Sequence, residues 1–480
     1  MKIVIVGGGT AGWLAAFMLN KIYKHSVTLI ESSKVGIIGV GEGGTHILGS
    51  LINNDNFFGF NAKEFLMATN GSPKLAVYHK NWPNTYYMPI DIMSNSNFED
   101  FLPLAITKDI DIHVISDMGL FIKQQYVPIK KDETSTWPSD FSFHFDGTLV
   151  GMFFKNKCSD EVKIIDAVVE EVVLNESGNI KELRLDNGNL ENGDFYIDCT
   201  GFKKLLMNSL KNKWVSYSKY LLMNTAIPFR LPFFDVKPLT KAEALSSGWT
   251  WDIPTTVDQG LGYSYCDQFI TYEQAVKELE DRYKREINPV KKIMFDPGRF
   301  EELWSKNCVA LGLAAAFVEP LEATSLHATM IQIIEFGKRL DTNWDKNTRN
   351  EYNKDITKLY DNIKDFIALH YTGERTDTEF WKYCKNEIPK PDFVLEIIEI
   401  SKNRLLTEND IDNTFNSLSY RAWNQVLAGL GKFSKDVALN SLSPGSEDRY
   451  NQWRRTTLEK MKDYKTLKEV LDARTDWVIK

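Results

Sequence analysis

The clearest chemical spacing in the chain lies near its start. Gly7-Gly8-Gly9-Thr10-Ala11-Gly12 is a GxGxxG pattern between an apolar run at 3–6 and a helical pattern over 10–23. In that setting each glycine has a separate task. Gly7 permits a tight turn, Gly9 lets backbone approach a pyrophosphate, and Gly12 permits close helix–strand packing. The helix start at Thr10 and Ala11 supplies backbone N–H donors to the phosphates. Glu31 lies 19 positions after Gly12 and closes the second apolar run, 27–30. A carboxylate there accepts ribose hydroxyl hydrogen bonds and disfavours a 2′-phosphate. The pattern predicts dinucleotide binding.

GxGxxG alone does not separate NAD from FAD. Two further segments point to FAD. Gly39-Val40-Gly41-Glu42-Gly43-Gly44 is a second glycine run soon after the first unit. Glycines there let backbone approach an isoalloxazine ring, with Val40, Gly41 and Glu42 as expected contacts. Phe195-Tyr196-Ile197-Asp198-Cys199-Thr200-Gly201 is a strand ending in acid and glycine after a β-meander, with Asp198 as the expected contact. No second GxGxxG appears for a separate nicotinamide cofactor.

These residues need a scaffold. The opening reads as a βαβ unit with strands at 3–6 and 27–30 around the helix over 10–23. From 162 the apolar period falls to two. Strands are expected at 162–167, 169–174 and 180–185 as a meander, then at 195–198. Residues 216–275 alternate apolar and polar side chains, which predicts a second sheet. Residues 308–313 read as one more buried strand. Residues 45–135 are hard to segment, and frequent Asn at 53–61 and 95–97 suggests loops. Tyr352, Ile356, Leu359, Ile363, Phe366 and His370 fall on one face of a long helix. Residues 395–400 and 458–471 also have helical composition. The expected fold is α/β. It has an FAD-binding module over 1–330, with a sheet and loop substrate region near 60–160 and 210–290. A mainly helical section follows over 331–480.

Bulk properties exclude several classes. The 480 residues are 43% hydrophobic and 25% charged, an ordinary globular composition. Net charge is −8, so nucleic acid is not an expected partner. The longest apolar run, 308–318, is far short of the roughly 20 residues of a membrane helix, and no membrane association is expected. Met1 leads straight into a strand pattern with no signal-peptide character. Cys158, Cys199, Cys266, Cys308 and Cys384 lie far apart without a CxxC pair, so neither a disulfide framework nor a metal site is expected. These features predict a cytoplasmic protein.

At Gly248-Trp249-Thr250-Trp251-Asp252-Ile253-Pro254 the chain matches the pattern GWxWxIP. With the N-terminal GxGxxG, it resembles the flavin-dependent halogenases of the tryptophan-halogenase type. Segments 39–43, 74–82, 144–146, 198–202 and 307–325 fit the same family. The resemblance runs from residue 1 to about 430 and is weakest at 83–135 and after 435. It implies a fold like that of the flavin monooxygenases, with a helical section carrying much of the aromatic-substrate pocket. It also implies a separate flavin reductase that supplies FADH2. Oxygen and halide (chloride, bromide or iodide) then give hypohalous acid, which passes through a tunnel to a lysine. The lysine directs it onto an electron-rich arene.

The resemblance assigns that lysine to Lys74, in Asn70-Gly71-Ser72-Pro73-Lys74-Leu75-Ala76-Val77, eight positions before Trp82. The bland alternative is a surface lysine on an edge strand. Desolvation lowers a lysine pKa and gives a nucleophilic nitrogen; a charged ammonium instead polarises hypohalous acid. Pro73 stands where the family commonly has an aromatic. Glu322 matches the family's second acid, placed to stabilise the cationic adduct and remove its proton. Thr324 and Ser325 match positions whose amides hold halide, and Ala323 stands where serine is usual. Gly312, Leu313 and Leu326 match flavin-contacting positions. Trp249, Trp251, Ile253 and Pro254 are expected to form a wall that keeps substrate from the flavin. His79, His144 and His370 show no ligand spacing and are expected to pack.

Two other readings fit the motifs. A single-component flavin hydroxylase would bind NADPH itself and would need neither GWxWxIP nor Lys74. A non-catalytic FAD-binding protein is the other. The aromatic clamp on free tryptophan has no clear match. An indole- or phenol-like small molecule or a carrier-bound arene is therefore the expected substrate. Regiochemistry, halide preference and homo-oligomer formation are left open.

Overall fold

Burial on both faces explains the uninterrupted apolar strands at the start of the chain. The computed structural model describes residues 1–35, 39, 41–52, 55–82, 84–132, 142–232, 236–340, 342, 344–412 and 418–473, with the side chains of 55, 56 and 93 excepted. Val40 lies outside the described residues. The chain forms two compact units. One comprises Met1–Val40, Asp146–Ser218 and Phe295–Asn362; the other comprises Gly41–Phe145, Lys219–Met294 and Ile363–Lys480. This grouping differs from the sequence-based division at 330, which falls inside the continuous helix Thr324–Leu340.

The first unit holds a six-stranded sheet. Its order is Trp304–Ser305, Cys308–Ala310, Phe195–Asp198, Lys2–Val6, Ser26–Glu31 and Lys163–Asp166. Pairing is parallel except at the Trp304–Ser305 edge. Ile3, Val4, Ile5, Leu29, Ile197 and Val309 are completely buried, as strands covered on both faces require. The helix after the first strand is α-helical over Thr10–Phe17 and continues as a π turn over Met18–Ile22. The strand expected at 162–167 is not part of the meander. Lys163–Asp166 extends the parallel sheet instead, and Ala167 N donates to the Glu31 carbonyl. The meander is the separate sheet Val169–Leu174, Ile180–Leu185 and Leu190–Glu191. The buried run at 308–313 pairs as a strand only to Ala310, and Gly312–Ala314 forms a 3-10 turn.

The second unit holds a seven-stranded sheet. Its order is Ile293–Met294, Thr225–Leu231, Gln259–Tyr265, Gly248–Pro254, Leu239–Ala244, Ala76–Trp82 and Asn84–Pro89. Ile227, Phe229 and Leu261 pack with Ala275 and Leu279 of the helix Tyr272–Tyr283. A smaller sheet joins Gly41–Gly43, Ser142–Asp146 and Ser72–Lys74. The unsegmented stretch contains the short helices His46–Ile52, Ala62–Ala68, Phe98–Lys108 and Asp117–Lys123. The C-terminal part is helical, including Asp392–Ser401, Tyr420–Gly429 and Ser446–Lys460. One segment departs from its helical composition. Tyr464–Thr466 pairs as a strand with Tyr126–Lys130, and Thr466 then starts the helix Leu467–Asp472 with a capping box. Tertiary pairing overrides propensity there.

Candidate active site

In the first unit, the GxGxxG turn sits at the carboxyl end of the central strand Lys2–Val6. A Cβ on Gly7 would fall 2.2 Å from the Cys199 carbonyl oxygen, so the turn can pass only without a side chain. Among the described residues the space above Gly9 is open: a Cβ there would meet none of them within 4 Å. Gly9 precedes the helix with no side-chain cap, and the first-turn amides of Thr10, Ala11 and Gly12 lack intrahelical acceptors. The Thr10 hydroxyl donates to the Gly147 carbonyl at 2.8 Å, which orients its backbone. Open space above unbonded amides suits a pyrophosphate. Glu31 accepts from the Trp13 indole at 3.1 Å through Oε2 and from Lys155 at 2.5 Å through Oε1. A carboxylate has about four acceptor positions, so capacity for ribose hydroxyls remains.

Asp198 is completely buried, and burial raises its pKa. Its Oδ1 accepts from Thr200 N and Thr200 Oγ1; its Oδ2 accepts from Leu206 N and Met207 N. Those four donors use its acceptor positions, so Asp198 shapes the loop after its strand. Gly312 has φ +60°, and a Cβ there would approach Ala11 Cβ to 2.7 Å. Leu313 follows in the same turn, and Leu326 is buried in the helix Thr324–Leu340. Glu322 is buried, and Ala323 adopts the left-handed φ of 56°. Thr324 and Ser325 open the 17-residue helix, whose first amides are natural anion donors.

In the second unit, Lys74 is completely buried, which removes the surface-lysine alternative. Its amine donates to the Gly44 carbonyl at 2.8 Å. A Cβ on Gly43 would lie 3.1 Å from Lys74 Nζ and 3.3 Å from Thr240 Oγ1. The second glycine run is thus packed closely over the lysine. Gly41 lies against Gly260 of the neighbouring sheet, where an added Cβ would meet Gly260 Cα at 3.1 Å. Glu42 sits between the two on the same short strand and is half-buried.

Three polar side chains beside Lys74, Ser72, His144 and Thr240, form a hydrogen-bonded chain, in which His144 does more than pack. Ser72 Oγ lies 2.6 Å from the Pro254 carbonyl and 3.3 Å from His144 Nδ1; His144 Nε2 lies 2.9 Å from Thr240 Oγ1. A carbonyl only accepts, so Ser72 gives its proton to Pro254. His144 Nδ1–H then donates to Ser72, and the Thr240 hydroxyl donates to His144 Nε2. Burial, and next the charge of Lys74, hold the His144 pKa well below its usual value. His144 is therefore a neutral link. The signal available in sequence was the two-residue alternation of Ser72 with Lys74 and of Ser142 with His144 on paired strands.

Trp249 is buried and Trp251 half-buried on the strand Gly248–Pro254, with ring centroids 6.1 Å apart. Trp251 pairs with Gly262, and its ring occupies the place of the missing side chain: a Cβ there would fall 1.9 Å from Trp251 Cζ2. Ile253 and Pro254 are buried on the same strand. His79 and His370 lie 4.9 Å apart in an aromatic cluster with Trp82 and Tyr86. The expected site residues thus form two groups. The first unit holds Gly7, Gly9, Thr10, Ala11, Gly12, Glu31, Asp198, Gly312, Leu313, Glu322, Thr324, Ser325 and Leu326. The second holds Gly41, Glu42, Lys74, Trp249, Trp251, Ile253 and Pro254.

Comparison with known proteins accounts for this combination. The tryptophan halogenase family model matches residues 2–441. Tryptophan 6-halogenase SttH of Streptomyces toxytricini is 30% identical, covering 90% of this chain and 89% of its own. Its crystal structure superposes with a TM-score of 0.88 at 27% identity, covering 98% of this chain and 99% of its own. Tryptophan 7-halogenase RebH of Lentzea aerocolonigenes is 28% identical, covering 90% of this chain and 89% of its own. A tryptophan halogenase from Shewanella frigidimarina shares the fold, with a TM-score of 0.90 at 23% identity over 99% of this chain and 98% of its own. The chain belongs to the tryptophan halogenase family.

Proposed function

We propose that the chain halogenates an electron-rich aromatic substrate, an indole- or phenol-like small molecule or a carrier-bound arene. The observation that carries this reading is the completely buried Lys74 under a glycine run, in a chain of this family. FAD, delivered reduced by a separate reductase, would supply hypohalous acid from oxygen and halide. Gly7, Gly9, Thr10, Ala11, Gly12 and Glu31 hold its dinucleotide end, with Gly41, Glu42, Gly312, Leu313 and Leu326 at the ring. Asp198 supports the loop beside them. Thr324 and Ser325 present amides to halide. Lys74 captures hypohalous acid at its amine and presents the halogen to the arene. Glu322 stabilises the cationic adduct and takes its proton. Trp249, Trp251, Ile253 and Pro254 wall the substrate from the flavin.

The test is mass spectrometry of an indole and phenol panel with FAD, a flavin reductase, NADH and each halide, with catalase present. Wild type is expected to give a halide mass shift that Lys74→Ala reduces by about 100-fold or more, the scale of losing a positioned catalytic group. Equal product from both proteins would overturn the assignment of Lys74. A gain of one oxygen would point to a hydroxylase instead.

A further inference from the structure

One buried polar group beside Lys74 has no role in this reading. Ser142 opens the strand Ser142–Asp146 and pairs directly with Lys74 of Ser72–Lys74. Residues directly opposite in an antiparallel pair project from the same face, with Cβ atoms about 5 Å apart. Ser142 is completely buried, and its Oγ has no hydrogen-bond partner among the described residues. A Cβ on Gly44 would lie 2.5 Å from that Oγ, while the Gly44 carbonyl accepts from the Lys74 amine. Hydroxyl and amine therefore flank the same residue without bonding to each other.

The other hydroxyls nearby are committed. Ser72 gives its proton to Pro254, and Thr240 gives its proton to His144. Ser142 alone among these three keeps an uncommitted proton. An unpaired buried hydroxyl is destabilising, and native interiors keep few of them. Its place opposite the reacting amine gives it a partner during turnover.

We propose that Ser142 is a further catalytic residue, donating a hydrogen bond to the oxygen of hypohalous acid at the Lys74 amine. The proposal rests on the halogenase reading above. In the step, the Lys74 ammonium first gives one proton to solvent, and the free amine nitrogen then attacks the halogen. The nitrogen–halogen bond forms as the halogen–oxygen bond breaks, and the electron pair of the broken bond goes to oxygen. The proton released from nitrogen converts the departing hydroxide to water. Halogen keeps its oxidation state, so hypohalous acid is the only co-reactant. Negative charge grows on oxygen as the bond breaks, and a donor aimed there binds the transition state more strongly than the ground state.

Ser142→Ala separates this role from a structural one. Wild type, Ser142→Ala and Lys74→Ala are compared with reduced FAD, bromide and the panel substrate that wild type converts best. Three quantities are read: brominated arene per flavin oxidised, bromination of a diffusible 1,3-diketone trap, and thermal midpoint. Ser142→Ala is expected to lower arene product about tenfold. Trap bromination is expected to be undiminished, and the thermal midpoint equal or higher because an orphan hydroxyl is gone. Unchanged arene product would overturn the proposal. So would a loss of product that tracks a lower thermal midpoint. If wild type and Lys74→Ala give equal product, the underlying lysine reading fails and the proposal falls with it. If Lys74 matters and Ser142 does not, this proposal alone fails.

Discussion

His144 is neutral because of where it sits, and that has a measurable consequence. Its folded-state pKa is depressed by burial and by Lys74, while an unfolded histidine titrates near about 6.5. As pH falls through that value, the unfolded chain binds a proton that the folded chain refuses. Stability is thus fully present above about 6.5 and lost below it, by up to about 1.4 kcal/mol per pH unit. His144→Asn removes this contribution. Denaturant titrations between pH 5 and 7 are expected to show a shallower pH dependence for the variant, and parallel curves would contradict the assignment. Little of this could be read from residue types. Lys74 is one of many lysines, and sequence alone gives no sign that Gly43, Gly44, Ser142 and Thr240 close around it. Those contacts come from three other segments of chain. Glu31 and the glycine turn were legible because their geometry is local to one βαβ unit.

Short elements hide their own exceptions. Asp91 sits in the 3-10 turn Ile90–Met93 and is buried near Asp117, the first residue of the helix Asp117–Lys123. Burial, then the charge of Asp117, pushes its pKa up to about 7. The unfolded carboxyl ionises near about 3.9, so between those values only the unfolded state has lost the proton. Stability from this group is therefore full at low pH and lost as pH rises through about 7, at most about 4 kcal/mol. Asp91→Asn is expected to match wild type in thermal midpoint near pH 4 and to exceed it at pH 8. A variant less stable than wild type at pH 8 would contradict this. Strands at 169–174, 180–185 and 195–198 were legible because their apolar alternation or run is continuous. The helices His46–Ile52, Ala62–Ala68 and Asp117–Lys123 were not, because seven residues are too few to show two full turns of pattern, and Phe98–Lys108 carries Pro103 inside it. Trp251 across Gly262 shows the same limit: the glycine reads as a strand breaker until its partner strand is known.

At the scale of the whole molecule, the stretches that build the two units alternate along the chain, and no local pattern announces it. The six-stranded and seven-stranded sheets each gather strands from distant stretches, and their parallel pairs need long connections. All five cysteines are buried thiols outside any disulfide, and burial raises the thiol pKa of Cys158, Cys199 and Cys308. That arrangement suits the proposed chemistry, because thiols are the readiest targets of hypohalous acid. An aromatic disulfide reagent is expected to find no fast-reacting thiol in the native protein and five after denaturation. A fast native thiol would contradict the burial. Among the described residues no helix is long and apolar enough to cross a membrane. The central claim is that Lys74 directs the halogen rather than releasing it. Isomer analysis of the brominated arene tests this most directly, with free hypobromous acid as the reference. The account predicts one dominant isomer from wild type, in a ratio that free acid does not reproduce. The same isomer mixture from enzyme and free acid would contradict it.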